Sequence, residues 1–145
     1  MELAYAFLAD ALEANQTGRF FAFGGGIEVI HTASVPAFIP TIAIGAKFRL
    51  NPEERQSIFN IQITGFSPSE KTFFPEYTQT FGPYLGVTPE DRDVYHFMGI
   101  NFRGLQVEEY GKHRFVLSCE GRLLKTLTFF VDPPDGSTHT VSVSL

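Results

Sequence analysis

The sequence has no tryptophan and only one cysteine among its 145 residues. Cys119 therefore has no second thiol with which to form an internal disulfide. Small secreted domains often depend on disulfides, whereas single thiols are common in reducing compartments. We expect a cytoplasmic protein whose fold is held together by a hydrophobic core.

Basic residues are also scarce. The 11 lysines and arginines are outnumbered by 16 aspartates and glutamates, which gives a formal net charge of −5, and Lys and Arg never form a run. Surfaces that bind nucleic acids usually carry a basic stripe that contacts the phosphates. We do not expect this acidic chain to bind nucleic acid.

A long uninterrupted apolar run is missing as well. The apolar N-terminal segment, residues 3–14, is interrupted by Asp10 and Glu13, whereas a membrane-spanning helix needs roughly 18–20 apolar residues. Only Met1 and Glu2 precede this segment, so the basic n-region of a secretory signal is absent. We expect no membrane association and assign the segment to the core.

The sequence is instead rich in phenylalanine. It has 16 Phe and five Tyr within an apolar share of 43%, and aromatic and β-branched residues favour strands. About seven or eight short strand-like segments alternate with turn signals, which is typical of a β-sandwich or barrel. We predict one all-β domain over residues 1–145, with its core at about 3–131 and a polar tail at 132–145.

Residues 3–14 are compatible with either a helix or a buried strand, because short apolar runs do not separate the two by periodicity. The β-rich run 19–23, which follows a turn signal, favours a hairpin with the first segment. The clearest hairpin joins residues 113–119 to residues 123–131.

Prolines and glycines indicate where strands stop. Pro36 and Pro40 flank a predicted exposed loop, after which residues 41–50 form a long strand. Three consecutive glycines, Gly24, Gly25 and Gly26, indicate a bulge or a close approach of the backbone.

The sequence contains no pattern that is typical of a catalytic or metal site. The histidines, at positions 31, 96, 113 and 139, are too widely spaced to form a local zinc-binding pair, and no Gly-x-Ser-x-Gly elbow occurs. Cys119 and His113 share one face of a strand but would lie roughly 20 Å apart at about 3.3 Å per residue. We predict no enzymatic activity, no metal and no cofactor.

The densest aromatic stretch outside the clearest strands is interleaved with prolines. It either packs onto the sandwich as a long loop or presents an exposed patch to a protein partner. Its five rings are our possible partner-contact residues: Phe73, Phe74, Tyr77, Phe81 and Tyr84.

Asp10 is the most unusual polar residue because it lies within an apolar segment. If that segment is a strand, the carboxylate points inward and needs a partner such as Arg19 or a backbone amide. An alternative hypothesis places Asp10 and His96 in one pocket of a small-molecule binder or an unrecognised hydrolase.

Several stretches together resemble a family of small bacterial proteins of unknown function. The N-terminal matches are YAFLADA at 5–11, FGGG at 23–26 and VPAF at 35–38; the C-terminal ones are INFRGL at 100–105, GKHRFVL at 111–117 and EGRLL at 120–124. The resemblance spans residues 3–131 and departs from the family pattern at Tyr110 and His113. It implies an immunoglobulin-like antiparallel β-sandwich of about seven to eight strands, a strand at residues 3–14, and no assigned activity.

The function is unknown at this level. We favour a non-catalytic interaction or scaffold module that contacts a protein partner through the 73–84 segment or a sheet edge. Because unpaired edges favour self-pairing, a homodimer through a sheet edge is a further expectation.

Overall fold

The computed structural model describes residues 1–15, 19–135 and 142–144. Within these residues it contains ten β-strands, a single 3-10 turn at Pro52–Glu54 and no α-helix. The strands are β1 Glu2–Ala9, β2 Ala11–Ala14, β3 Phe20–Phe23, β4 Val29–His31, β5 Ala37–Leu50, β6 Phe59–Phe66, β7 Tyr77–Phe81, β8 Val94–Val107, β9 Gly111–Cys119 and β10 Arg122–Asp132. The predicted all-β class is confirmed, with more strands than the expected seven or eight.

Two sheets and one hairpin organise these strands. The smaller sheet has the order β1-β5-β8, the larger sheet has the order β4-β10-β9-β6-β7, and β2 pairs with β3. The short pair β4–β10 is parallel, and the other pairs are antiparallel. The additional strands are therefore mostly short segments at sheet edges and in the hairpin.

Residues 3–14 form two strands rather than a helix, which confirms the preferred interpretation. They are divided at Asp10, whose backbone N–H lies 2.9 Å from Phe23 O and 3.2 Å from Gly24 O. At this point the chain leaves the smaller sheet and forms the hairpin of β2 and β3.

One buried hydrophobic cluster draws residues from both sheets. Strand β6 illustrates how the sequence encodes it, because Ile61 and Ile63 are fully buried while the intervening Gln62 is half-exposed. The period of two places alternate side chains on opposite faces of a strand. Phe48 from the smaller sheet and Phe115 from the larger sheet are the largest fully buried side chains of this cluster, together with Phe129.

Strand β5 begins earlier than the sequence indicated. The predicted loop around residues 36–40 is wrong, because β5 starts at Ala37 and contains Pro40. Strand β8 pairs with β5 from Ala37 onwards, whereas β1 extends along β5 only as far as Ala43. Pro40 thus lies where no described strand pairs with the second edge of β5, and a residue without an N–H is tolerated there.

The smaller sheet is apolar on both faces, and the hairpin of β2 and β3 covers part of its outer face. A second small cluster forms there from Ala9, Leu12 and Ala43, with Phe7, Phe20 and Phe97 packed against it. This double burial explains why residues 42–46 are all buried, since strands covered on both faces read as continuous apolar runs.

Small residues make room for the hairpin. Phe7 lies opposite Gly45 on β5, which in turn lies opposite Gly99 on β8. A Cβ atom on Gly45 would lie 2.5 Å from Cζ of Phe7, so this ring occupies the space of the missing side chain.

The predicted hairpin at residues 113–131 is confirmed as β9 and β10. Its two-residue turn, Glu120 and Gly121, has φ of 50° and 83°, the positive values that tight hairpin turns require. Of the predicted polar tail at 132–145, residues 136–141 and 145 lie outside the described residues, and His139 is among them.

Candidate binding sites

A cavity of about 470 Å³ opens between the end of β8 and the chain segment that leads from β6 to β7. Its apolar surface comes from Phe73, Phe74 and Pro75, and we call it the Phe74 groove. The remaining lining residues are polar or charged: Ser67, Lys71, Thr72, Gln106, Glu108 and Glu109.

Polar contacts order the loop beside this groove. The Glu109 carboxylate accepts hydrogen bonds from the backbone N–H and the hydroxyl of Ser69, at 2.7 and 2.8 Å. Arg114 donates two hydrogen bonds to the Glu70 carboxylate, at 2.8 and 2.6 Å. The guanidinium holds the pKa of Glu70 below its usual range. The loop is therefore fixed to both β9 and the end of β8.

The charges at the groove are of opposite sign. Lys71 and Glu108 are exposed, and neither forms an ion pair among the described residues. Glu109 is half-buried and already engaged by Ser69. Lys71 and Glu108 can therefore meet a partner without first giving up an existing ion pair.

The five aromatic residues singled out in the sequence mostly pack onto the core. Phe74 and Phe81 are 8% and 5% exposed, and Phe73, Tyr77 and Tyr84 are half-buried against the same cluster. This is the packing alternative, and it leaves only parts of Phe73 and Phe74 facing the groove. Contact of these rings with a partner stays a prediction.

Asp10 and His96 do not share a pocket. Ala9, next to Asp10, pairs with Ala43, whereas His96 pairs with Phe48, five residues further along β5. That separation corresponds to about 17 Å at roughly 3.3 Å per residue. Asp10 is exposed rather than directed inward, so the hypothesis of a joint site is wrong as stated.

His96 is half-buried at the edge of the smaller sheet. Its ring stacks on Phe81 with centroids 4.4 Å apart, and burial lowers its pKa from the usual 6.5. Burial therefore favours the neutral imidazole more than in a solvent-exposed histidine.

A second cavity, of about 410 Å³, lies on the outer face of the smaller sheet. We call it the Lys47 cleft, because this lysine lies among aromatic rings there. Its lining is Tyr5, Ala14, Phe20, Lys47, Tyr95, His96 and Phe97. Apart from His96, sequence reasoning missed these residues. The one local signal was a lysine directly after the apolar run 42–46 of strand β5.

Two groups with reactive side chains are buried away from both cavities. Cys119 is buried, and burial raises the pKa of its thiol. His113 is fully buried and stacks on Phe129 with centroids 5.3 Å apart. It lies two residues before the buried Phe115, on the same core-facing side of β9.

Within the part of the chain that the structure describes, no three His, Cys, Asp or Glu side chains lie close enough together to hold a metal ion. The same described residues contain no helix long and apolar enough to cross a membrane.

Comparison with protein-family models identifies the chain as a member of a family of unknown function, DUF6941, whose model matches residues 4–132. The resemblance to a family without an assigned function is thereby confirmed. A search of curated proteins found no match.

Proposed function

We propose that this chain is a non-catalytic interaction module that holds an extended segment of a protein partner in the Phe74 groove. The observation that carries the proposal is the groove itself. It is a preformed cavity of about 470 Å³ with an apolar floor and, among the described residues, two unpaired charges of opposite sign at its margin.

The floor can accept an apolar side chain. Phe74 packs against Phe102 and Phe115, with ring centroids 5.2 and 5.5 Å apart, so it is held in place from below. A cavity of a few hundred Å³ on such a rigid base is typical of binding sites that need little rearrangement. One or two apolar side chains of a partner fit this space.

The neighbouring edge of β8 supplies backbone groups. Strand β8 pairs with β5 on one side, and no described strand pairs with its other side. Gly104 has φ of 65° and interrupts the regular edge, which leaves the short stretch 105–107 beside the groove. Extended peptides commonly add to such an edge while their side chains enter an adjacent pocket.

The charges specify the partner further. Glu108 favours a lysine or arginine on the partner, and Lys71 favours a carboxylate at the opposite margin. Such rim charges mainly set orientation and association rate, whereas like charges placed opposite each other weaken binding strongly. The expected partner segment is thus extended, with an apolar anchor and a basic residue on the Glu108 side.

A displayed library of random peptides tests this proposal, because it samples many different extended segments in one selection. We expect the wild-type protein to enrich peptides with an apolar anchor and a basic residue, and we expect K71E/E108K to weaken their binding by about tenfold or more. The matched control is K125E/E120K, a double charge reversal of exposed residues at the other end of β9. Equal binding to wild type and K71E/E108K, or no enrichment, would refute the proposal.

A second copy of the chain is the other occupant to consider, since a homodimer through a sheet edge also uses unpaired backbone groups. Sedimentation velocity over a range of concentrations separates the two. A stable dimer without peptide enrichment would assign the edge to self-association rather than to a partner.

We also propose an immunoglobulin-like sandwich arrangement, a bacterial source and a cytoplasmic location. The sandwich is supported by the single core that both main sheets share, and the location by one buried thiol without a disulfide. An experimental structure tests the first, and fractionation of the source cells with immunoblotting tests the last.

A further inference from the structure

The Lys47 cleft has a regular construction across the smaller sheet. Tyr5 on β1 lies opposite Lys47 on β5, and Lys47 lies opposite Phe97 on β8. The Lys47 Nζ atom is 4.9 Å from the centre of the Tyr95 ring and 6.0 Å from that of Tyr5. Residues from three strands thus place one ammonium group between two tyrosines.

This ammonium group has no carboxylate partner among the described residues. Arg49, two residues further along the same face, engages both Glu2 and Asp93. Glu2 and Asp93 therefore share one arginine, and neither carboxylate forms an ion pair with Lys47. Lys47 as a whole residue is half-buried.

The walls of the cleft are flat and apolar. Phe20 from the hairpin stacks on Phe97 with ring centroids 4.0 Å apart and an interplanar angle of 0°. Tyr5 and Tyr95 are 40% and 53% exposed, which leaves ring surface free to contact a ligand. Aromatic rings prefer offset-stacked or edge-to-face contacts with one another.

From this geometry we propose that the Lys47 cleft binds a small aromatic carboxylate. The carboxylate pairs with the Lys47 ammonium group, and the aromatic body packs against Tyr5, Tyr95 and the exposed part of Phe20. The volume of about 410 Å³ is sufficient for a ligand of one or two fused rings. The inference is independent of the Phe74 groove, because the two cavities share no lining residue.

Binding of 2-naphthoate, followed by backbone amide NMR shifts and by the ligand's fluorescence, tests the inference directly. We expect shifts centred on Tyr5, Lys47 and Tyr95. Because a charge-assisted contact is lost, K47M should weaken binding by about tenfold, whereas K47R should retain most of it. The uncharged analogue 2-naphthamide should bind wild type about as weakly as naphthoate binds K47M.

Methionine retains an unbranched apolar chain over the tyrosine rings, so K47M separates the charge from simple packing. Lys125→Met, an exposed lysine on β10, is the matched control and should bind like wild type. The inference is overturned if naphthoate binds wild type and K47M with equal affinity, or if wild type binds naphthamide as tightly as naphthoate. It is also overturned if the amide shifts are centred elsewhere or if millimolar naphthoate does not bind.

Discussion

Both ends of the Asn101 side-chain amide bind the backbone of Leu12. The Leu12 N–H donates to Oδ1 at 2.8 Å, and Nδ2 donates to the Leu12 carbonyl at 2.9 Å. The amide thus supplies the hydrogen bonds that a neighbouring strand would make, and it ties the hairpin of β2 and β3 to β8. Because Leu12 is a buried residue of this hairpin and packs with Ala9 and Ala43, its backbone groups have little access to water.

Asn101→Ala removes both hydrogen bonds and leaves the Leu12 backbone groups unpaired. We expect the free energy of unfolding, measured in urea, to fall by about 1–3 kcal/mol. Asn101→Asp should also lower stability, since a carboxylate accepts from the Leu12 N–H but cannot donate to the Leu12 carbonyl, which it faces with a negative charge. The control is Asn60→Ala, which removes one exposed hydrogen bond from Thr80. A loss no larger for Asn101→Ala than for this control would contradict the assignment.

Gly45→Ala should displace the Phe7 ring, because the new methyl group would lie 2.5 Å from Cζ of that ring. We expect a loss of about 1–3 kcal/mol in the free energy of unfolding, as for other overpacked sites. In a Phe7→Leu background the same change should cost less, and a double-mutant cycle measures the difference. Gly25→Ala, whose Cβ meets nothing within 4 Å, is the control. Additive effects of the Gly45 and Phe7 changes would contradict the proposed contact.

Local patterns predicted several elements of the fold. The hairpin that the sequence predicts between residues 113–119 and 123–131 is the β9–β10 hairpin, and the alternation of Ile61 and Ile63 with polar residues matches the orientation of β6. These features depend on neighbours in sequence. The start of β5 did not follow from local pattern, because whether Pro40 is tolerated depends on where β1 ends.

The candidate sites were less predictable for the same reason. Tyr5, Lys47 and Tyr95 are brought together only by the register of three strands that are about 40 residues apart in sequence. The aromatic content of the 73–84 segment identified it in the sequence. The spacing of its aromatic residues, however, does not show which rings are exposed and which are buried. Phe74 is buried because it packs against Phe102 and Phe115, which come from two other strands.

Cys119 should react slowly with iodoacetamide in the native protein. Cys119 is 6% exposed, which limits access of the reagent, and burial raises the pKa of its thiol, which lowers the fraction of reactive thiolate. We expect mass spectrometry to show alkylation at least about tenfold slower in buffer than in urea. Similar rates in both solvents would mean that the β9–β10 hairpin does not shield this residue.

His113 couples the stability of the core to pH. Its Nδ1 atom is 3.1 Å from the Gly111 carbonyl, which can only accept, so Nδ1 carries the proton of the neutral ring. Nε2 is then a buried acceptor without a partner among the described residues. Burial lowers the pKa of His113 from its usual 6.5, so the folded state binds the second proton less readily than the unfolded chain.

As pH falls below about 6.5, the unfolded chain therefore gains protons first, and the free energy of unfolding should decrease by at most about 1.4 kcal/mol per pH unit through this residue. His113→Phe keeps a ring of similar shape and removes the unpaired nitrogen. It should flatten the dependence measured by urea unfolding between about pH 7.5 and about pH 5.5. Ile44→Val, a change at a fully buried residue of β5 that pairs with Leu8 and Ile100, should lower stability but leave the slope unchanged. An unaltered slope in His113→Phe would show that this imidazole is not the group that titrates on unfolding.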